Sequence, residues 1–138
     1  MARVRYAADT SVAIAALDET HEAHAPTLDA VARCRPALAG HAAWETFSVL
    51  TRLPGQLRVT AAVAHDVIRR SFPDACWLDS NEQAALFGRL PVLGITGSSI
   101  YDALVGAAAM SEGRRLLSRD RRADRTYSLL GVDVEFVD

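Results

Sequence analysis

The chain has 138 residues and carries 15 basic and 17 acidic side chains for a net charge of −2; half of its residues are hydrophobic. This composition predicts one domain of ordinary size, spanning residues 1–138, and excludes a disordered tail. No apolar run approaches the roughly 20 residues of a membrane span, and no signal-peptide pattern is present, so we expect a cytoplasmic protein with no membrane association.

All 15 basic residues are arginine, since the sequence contains no lysine. A P-loop phosphate site, a Schiff-base enzyme and an ordinary kinase each need a lysine amine, and a receiver domain also relies on one. These classes are therefore excluded. The two cysteines, Cys34 and Cys76, are too few for a disulfide framework or a four-ligand zinc site.

Strands and helices alternate along the predicted elements. Short apolar runs predict strands at residues 4–8, 37–40, 75–78, 115–118 and 132–137. Apolar residues at helical spacing predict helices at residues 10–17, 22–33, 42–53, 61–71, 80–90, 98–110 and 121–130, and the Gly- and Pro-containing residues 91–97 predict a loop. The pattern indicates an α/β fold with a central, mainly parallel sheet of four or five strands flanked by helices. The aromatic pairs Trp44/Phe47 and Trp77/Phe87 are expected to lie mostly in the core.

Four acidic residues stand out by their position. Asp9 and Asp120 follow predicted strands, where sites form in parallel sheets, while Glu45 and Asp102 are isolated charges in long stretches without another Asp, Glu or Arg. Burying an ionised carboxylate alone costs several kcal/mol, roughly, so each must be paired, protonated or bound to a metal. If the four converge, a hard divalent cation such as Mg²⁺ or Mn²⁺ best relieves their repulsion. Such an ion can activate water for attack on a phosphodiester.

Each acid also has an ordinary structural interpretation. Asp9 is a suitable helix cap, and Ser99 with Asp102 matches a capping box. Glu45 alone suits the surface of an amphipathic helix, and Asp120 suits a solvated turn between arginines. The functional hypothesis therefore depends on all four together. His41 lies one helical turn before Glu45 and is expected to approach it.

These motifs resemble the PIN domain over essentially the whole chain and, within it, the VapC toxins of toxin–antitoxin pairs. The resemblance rests on an ordered set of sequences: Asp9-Thr10-Ser11-Val12, Trp44-Glu45, Tyr101-Asp102-Ala103-Leu104, and Leu117-Ser118-Arg119-Asp120 followed by Tyr127 and Leu130-Gly131-Val132. It implies an endoribonuclease dependent on Mg²⁺ or Mn²⁺, with Asp9, Glu45, Asp102 and Asp120 as catalytic, metal-binding acids.

The resemblance further implies supporting residues and partners. Ser11 and Ser118 would form hydrogen bonds within the site, although the family more often has threonine at the second position. Asp124 is a candidate for a further, outer acid, because the nearer positions are Arg121 and Arg122. A small antitoxin that masks the site and a homodimer are also implied.

Arginine is concentrated near the end of the chain. Residues 114–125 contain six arginines against Asp120 and Asp124, a local charge of +4. Arginine suits bidentate phosphate contacts and base stacking, so Arg119, Arg121 and Arg122 are candidate RNA-binding residues. A solvated helix face with internal Arg–Asp pairs would give the same pattern.

Three other functions compete with the toxin hypothesis. A PIN nuclease outside toxin–antitoxin pairs would share the same acids, and a catalytically inert PIN-like binding scaffold would share the fold. A haloacid-dehalogenase-type phosphatase also uses an aspartate after its first strand. It needs a second aspartate two residues later, where this chain has Ser11, and it lacks the usual lysine.

Overall fold

The computed structural model describes residues 3–138 and contains one five-stranded sheet flanked by helices. The strands are β1 Tyr6–Ala8, β2 Ala37–Ala39, β3 Ala75–Cys76, β4 Arg115–Ser118 and β5 Val134–Phe136. The helices are α1 Thr10–Leu17, α2 His24–Cys34, α3 His41–Thr51, α4 Ala61–Ser71, α5 Ser80–Leu93, α6 Ser99–Ser111 and α7 Asp124–Leu130. The α/β prediction is confirmed.

The strand order is β3-β2-β1-β4-β5, and all neighbouring strands pair in parallel. The chain runs outward from β1 through β2 to β3 and then returns to place β4 on the other side of β1. The order therefore reverses between β1 and β4, which opens a crevice at the carboxyl ends of these two strands. Ala8 pairs with Leu117 at that end of the sheet.

Small residues form the centre of the sheet. Ala7, Ala8, Ala37 and Ala39 are fully buried, and the helices pack against them to enclose the main core. Alanine has a weak preference for strands, so these two- to four-residue strands depend on packing from the helices rather than on their own propensity. No helix within residues 3–138 combines the length and apolar character needed to cross a membrane.

Two sequence predictions differ from the structure at α5 and α7. The helix α5 continues through Pro91 to Leu93, so the predicted loop at residues 91–97 begins too early. Pro91 has no N–H to donate within the helix, and Gly94, with a φ of +69°, ends the helix three residues later. The predicted helix at residues 121–130 begins as a 3₁₀ turn, Arg121–Ala123, before α7.

The prediction that the aromatic pairs lie mostly in the core is wrong for three of the four residues. Trp44 is 67 % exposed and Phe87 is 77 % exposed, and Trp77 is exposed as well. Trp44 and Trp77 meet edge to face with their rings 6.4 Å apart. For Trp44, helical phase explains the exposure, because α3 turns Ala42 and Thr46 inward and Trp44 outward.

Candidate active site

Asp9 stands at the point where β1 ends and α1 begins. Its backbone N–H continues the sheet by donating to the Leu117 carbonyl at 3.1 Å. Its Oδ1 accepts a hydrogen bond from the Val12 N–H at 3.1 Å and so caps α1. The capping role predicted for Asp9 is thus present, and it coexists with a position at the sheet crevice.

Neighbouring hydroxyl groups fix the Asp9 carboxylate. Ser11 Oγ donates to Oδ1 at 2.6 Å, and the Tyr127 hydroxyl donates to Oδ2 at 3.0 Å. Asp9 is only 4 % exposed. Burial raises the pKa of the Asp9 carboxyl, and the hydrogen bonds from Ser11, Ser118, Val12 and Tyr127 oppose that rise. The side chain is therefore an oriented carboxylate with little solvent around it.

Asp102 is held in a different electrostatic environment. It lies in the first turn of α6, where burial is the main cause that raises the pKa of its carboxyl to about 6. The negative charges of Asp120, Glu45 and Asp9 raise this pKa further, and Arg122 opposes them. The charges of all three other predicted acids therefore act on the Asp102 carboxyl.

The four acids line a single cavity of about 240 Å³. They come from four separate parts of the chain: the end of β1, α3, the start of α6 and the turn after β4. The predicted convergence of Asp9, Glu45, Asp102 and Asp120 is what the structure contains. Thr10, Ser11, Val105 and Tyr127 complete the wall.

Glu45 and Asp120, like Asp9, have hydrogen-bond partners. Thr10 Oγ1 donates to Glu45 Oε1 at 3.0 Å, while Asp120 Oδ1 accepts from the Arg122 N–H at 3.1 Å and from its Nε at 3.3 Å. Within residues 3–138, no three His, Cys, Asp or Glu side chains are drawn together closely enough to hold a metal ion as they stand. The donor set nevertheless fits a hard cation, because it consists of carboxylate oxygens facing one small cavity.

Ser11 and Ser118 connect the two strand ends that carry Asp9 and Asp120. Ser11 Oγ accepts a hydrogen bond from the Arg119 N–H at 2.8 Å while it donates to Asp9. Ser118 is fully buried and accepts from the Asp120 N–H at 3.0 Å. Through Ser11, these contacts hold the turn after β4 next to the turn after β1.

The arginine-rich segment divides into two groups. Arg119, Arg121 and Arg122 line a cavity of about 600 Å³ that also touches Thr10, Ser11 and Asp120, so it adjoins the acids. Arg114 and Arg115 instead pair with Glu112 and Asp133, at 2.9 and 3.0 Å, and belong to the framework.

The individual arginines beside the site differ in their partners. Arg119 Nε is buried and has no hydrogen-bond partner among residues 3–138. Arg121 packs over the Phe136 ring at 4.5 Å and pairs with Asp138 at 3.3 Å. Asp124 is exposed at the start of α7 and is not among the residues that line the acidic cavity.

Sequence reasoning gave no role to Tyr127 or to the Thr10 hydroxyl. Tyr127 lies 118 residues from Asp9 in the chain, and Thr10 lies 35 residues from Glu45, so no local spacing connects either pair. The sequence predicts that His41 approaches Glu45, and both residues line one cavity. His41 stacks on Tyr101 with ring centroids 5.0 Å apart, and both rings line a cavity that also touches Glu45.

Comparison with known proteins identifies the family. The family model for the PIN domain matches residues 6–129, which include all four acids. The chain belongs to the PIN domain family. The resemblance seen in the sequence motifs is thereby confirmed.

Relatives of known name are ribonucleases. Over 128 residues, covering 93 % of each chain, this PIN domain protein is 44 % identical to ribonuclease VapC27 of Mycobacterium tuberculosis. It is 40 % identical over 135 residues to ribonuclease VapC40 of the same organism, covering 95 % of this chain and 98 % of the relative.

A solved structure of low sequence identity shares the fold. It is the crystal structure of VapBC2 from Rickettsia felis bound to a DNA fragment from their promoter. The similarity covers 98 % of this chain and 100 % of the matched chain, with a TM-score of 0.66 and 14 % identity. At that identity the likeness supports the PIN fold alone.

Proposed function

We propose that this PIN domain protein is a VapC-type endoribonuclease that hydrolyses phosphodiester bonds in RNA with the help of Mg²⁺ or Mn²⁺. The names of the relatives support the ribonuclease class. The observation that carries the proposal is the single cavity lined by four carboxylates, within which burial and the other acids raise the pKa of Asp102 to about 6. Four carboxylates around so small a cavity repel one another, and a bound cation would relieve that repulsion.

Asp9, Glu45, Asp102 and Asp120 are the residues that would hold the ion. Asp9 and Asp102 are the principal ligands in this proposal. Neighbouring hydrogen bonds fix Asp9, and burial together with the nearby negative charges raises the pKa of Asp102 to about 6. Glu45 and Asp120 would turn from Thr10 and Arg122 toward the ion. When bound, a divalent cation supplies charge neutralisation, polarisation of the phosphodiester and activation of water.

The chain's own residues supply position and binding. Ser11 holds the Asp9 carboxylate and the Arg119 backbone in one arrangement, which keeps the acids beside the arginine-lined cavity. Arg119, Arg121 and Arg122 would bind phosphates that flank the scissile bond. The neutral hydroxyls of Thr10 and Tyr127 line the cavity and orient carboxylates without adding charge.

The proposed partners are a cognate antitoxin and a second copy of the chain. The antitoxin is supported by the VapC names of the relatives and by the VapBC2 complex among similar structures. Exposed apolar side chains such as Trp77 and Val92 offer surface for protein contacts. Copurification with the antitoxin and the molar mass in solution test these two expectations.

Cleavage of total RNA with mapping of the cut ends tests the function. We expect wild-type protein to cut RNA with Mg²⁺ or Mn²⁺ and to stop when EDTA is added. Asp9→Asn should abolish cutting while the protein stays folded, as judged by circular dichroism. Asp29→Asn, an exposed carboxylate on α2 outside the cavity, is the matched control.

The outcomes separate the alternatives. A folded protein that neither cuts RNA nor is stabilised by divalent cations would be an inert scaffold. Metal-dependent cutting that no antitoxin inhibits would favour a PIN nuclease outside toxin–antitoxin pairs. Full activity of Asp9→Asn would remove Asp9 from the active site.

A further inference from the structure

A second cavity, lined by aromatic rings, adjoins the acidic cavity. It has a volume of about 420 Å³ and is lined by His41, Trp44 and Tyr101 together with Arg52 at the end of α3. Thr10 and Glu45 line both cavities. The two cavities are therefore adjacent at these residues, and together with the arginine-lined cavity we call them the groove.

His41 and Tyr101 form a preformed stack of two rings beside the acids. Tyr101 directly precedes Asp102 on α6, and His41 lies one helical turn before Glu45 on α3. The two rings are 5.0 Å apart between centroids and only 12° from parallel. Tyr101 is 48 % exposed, so part of its ring remains open to a ligand. Each ring is thus positioned by the helix that also positions one of the carboxylates.

The groove has a different chemical character on each side of the acids. The arginine-lined cavity shares Thr10, Ser11 and Asp120 with the acidic cavity, just as the aromatic cavity shares Thr10 and Glu45. A strand lying in the groove would meet rings, then carboxylates, then guanidinium groups. Single-stranded nucleic acid matches this order, because its bases stack on aromatic faces and its phosphates bind arginine.

We propose that the His41–Tyr101 pair is a stacking platform for the nucleobase next to the scissile phosphate of single-stranded RNA. The inference rests on the proposed nuclease function and adds a substrate requirement to it. A base within a duplex is already stacked on its neighbours, so only an unpaired or flipped base can reach the platform. Cutting is therefore expected in loops and unpaired segments, and Tyr101 should influence which nucleotide borders the cut.

Binding of a short oligoribonucleotide with one 2-aminopurine base measures the stacking directly. The oligonucleotide is built around a cut site mapped for the wild-type protein, and Asp9→Asn is the background that prevents cutting. Stacking on a ring should quench the 2-aminopurine fluorescence. Tyr101→Leu should remove most of the quenching and weaken binding roughly 5- to 100-fold, the range expected for the loss of one stacked base.

Matched variants separate stacking from folding. Tyr101→Phe keeps the ring and should retain the quenching, whereas Phe87→Leu removes an exposed ring from α5 and should change neither binding nor quenching. His41→Ala gives a second probe of the platform from the other helix. Melting temperatures identify any variant whose loss of binding comes from unfolding.

The results distinguish this inference from the function on which it rests. RNA cutting by wild-type protein together with unchanged binding, quenching and cut-site choice in Tyr101→Leu would overturn the stacking platform alone. It would assign the two rings to packing or to a protein partner. Absence of RNA cutting by wild-type protein, with no binding of an unstructured single-stranded oligoribonucleotide, would overturn both.

Discussion

The Tyr127 hydroxyl donates a hydrogen bond of 3.0 Å to Oδ2 of Asp9, across 118 residues of sequence. Tyr127 is 1 % exposed, and burial raises the pKa of its hydroxyl far above the ordinary value, with the charge of Asp9 adding to the shift. The hydroxyl therefore stays protonated and always acts as the donor. One oxygen of Asp9 is held by Tyr127 while the other is held by Ser11 and the Val12 N–H.

Tyr127→Phe should therefore impair the site more than it impairs the fold. The variant keeps the ring in the core but leaves Asp9 Oδ2 without its donor, which we expect to cost about 1–3 kcal/mol of folding stability. Metal affinity and RNA cleavage should fall about 10-fold or more, as for other residues that orient ligands. Mn²⁺ titration and cleavage rates check this expectation. Tyr6→Phe, which removes a hydroxyl from the other end of β1, is the control and should behave like wild type.

Asp102 makes the stability of the metal-free protein depend on pH. The pKa of its carboxyl is about 6 in the folded protein, against an ordinary value of 3.8. The folded state binds this proton more tightly than the unfolded chain does, so the free energy of unfolding decreases as the pH rises from about 4 to about 6. Asp102→Asn removes this decrease in the free energy of unfolding. Without divalent cations, the variant should be about 1 kcal/mol more stable than wild type at pH 7.5, after allowance for solvent screening of this half-buried group.

The extra stability of Asp102→Asn should vanish below pH 4. Mg²⁺ should reverse it, because the ion stabilises the wild-type protein, which keeps all four acids. Urea denaturation at several pH values with EDTA or Mg²⁺ measures both effects. Asp29→Asn, on the surface of α2, should change stability by less than about 0.5 kcal/mol under all conditions. A wild-type protein that stays the more stable one in EDTA at pH 7.5 would contradict the prediction.

Much of the fold and the acidic cavity could be predicted because their signals are local. A strand followed by an acid marks Asp9 and Asp120, and long uncharged stretches mark Glu45 and Asp102. Parallel β-sheet topology then determines where the strand ends meet, since the order reverses between β1 and β4.

The remaining features depend on contacts between distant parts of the chain. Arg115 lies at the amino end of β4, away from the site, and pairs there with Asp133, 18 residues later. The exposure of Trp44 depends on the rotation of α3 against the sheet, which periodicity defines poorly in a helix with apolar residues on several faces. The pairing of Tyr127 with Asp9 requires α7 to pack under α6, and no spacing in the sequence encodes that contact.

The Tyr127 ring packs closely against α6 at Gly106. A Cβ atom there would lie 2.9 Å from Val132 Cγ2 and 3.0 Å from Tyr127 Cδ1. Gly106→Ala should therefore displace the Tyr127 ring, destabilise the protein by roughly 1–3 kcal/mol and reduce RNA cleavage through Asp9. Thermal unfolding and cleavage rates test this effect.

Gly88→Ala is a closely matched control for the Gly106 variant. Gly88 also lies inside a helix, but a Cβ atom there would have no neighbour within 4 Å in the part of the chain that the structure describes. Alanine has the higher helix propensity, so this substitution should stabilise the protein by up to about 1 kcal/mol and leave cleavage unchanged. Equal destabilisation by the two substitutions would show that the close packing around Gly106 is not the cause.

Arg122 pairs with an acid of the site and is also a proposed RNA-binding residue. Its side chain is 94 % exposed and pairs with Asp120 at 3.3 Å, so it can turn to a phosphate at little cost. Arg122→Ala should weaken RNA binding and reduce the dependence of log Kd on log salt by about 0.7, the contribution of one phosphate contact to a single strand. Arg70→Ala removes an equally exposed arginine that pairs with Asp66 on α4, and it should leave the salt dependence unchanged. A slope that is the same for wild type and Arg122→Ala would exclude a phosphate contact by this residue and would leave its ion pair with Asp120 as its role.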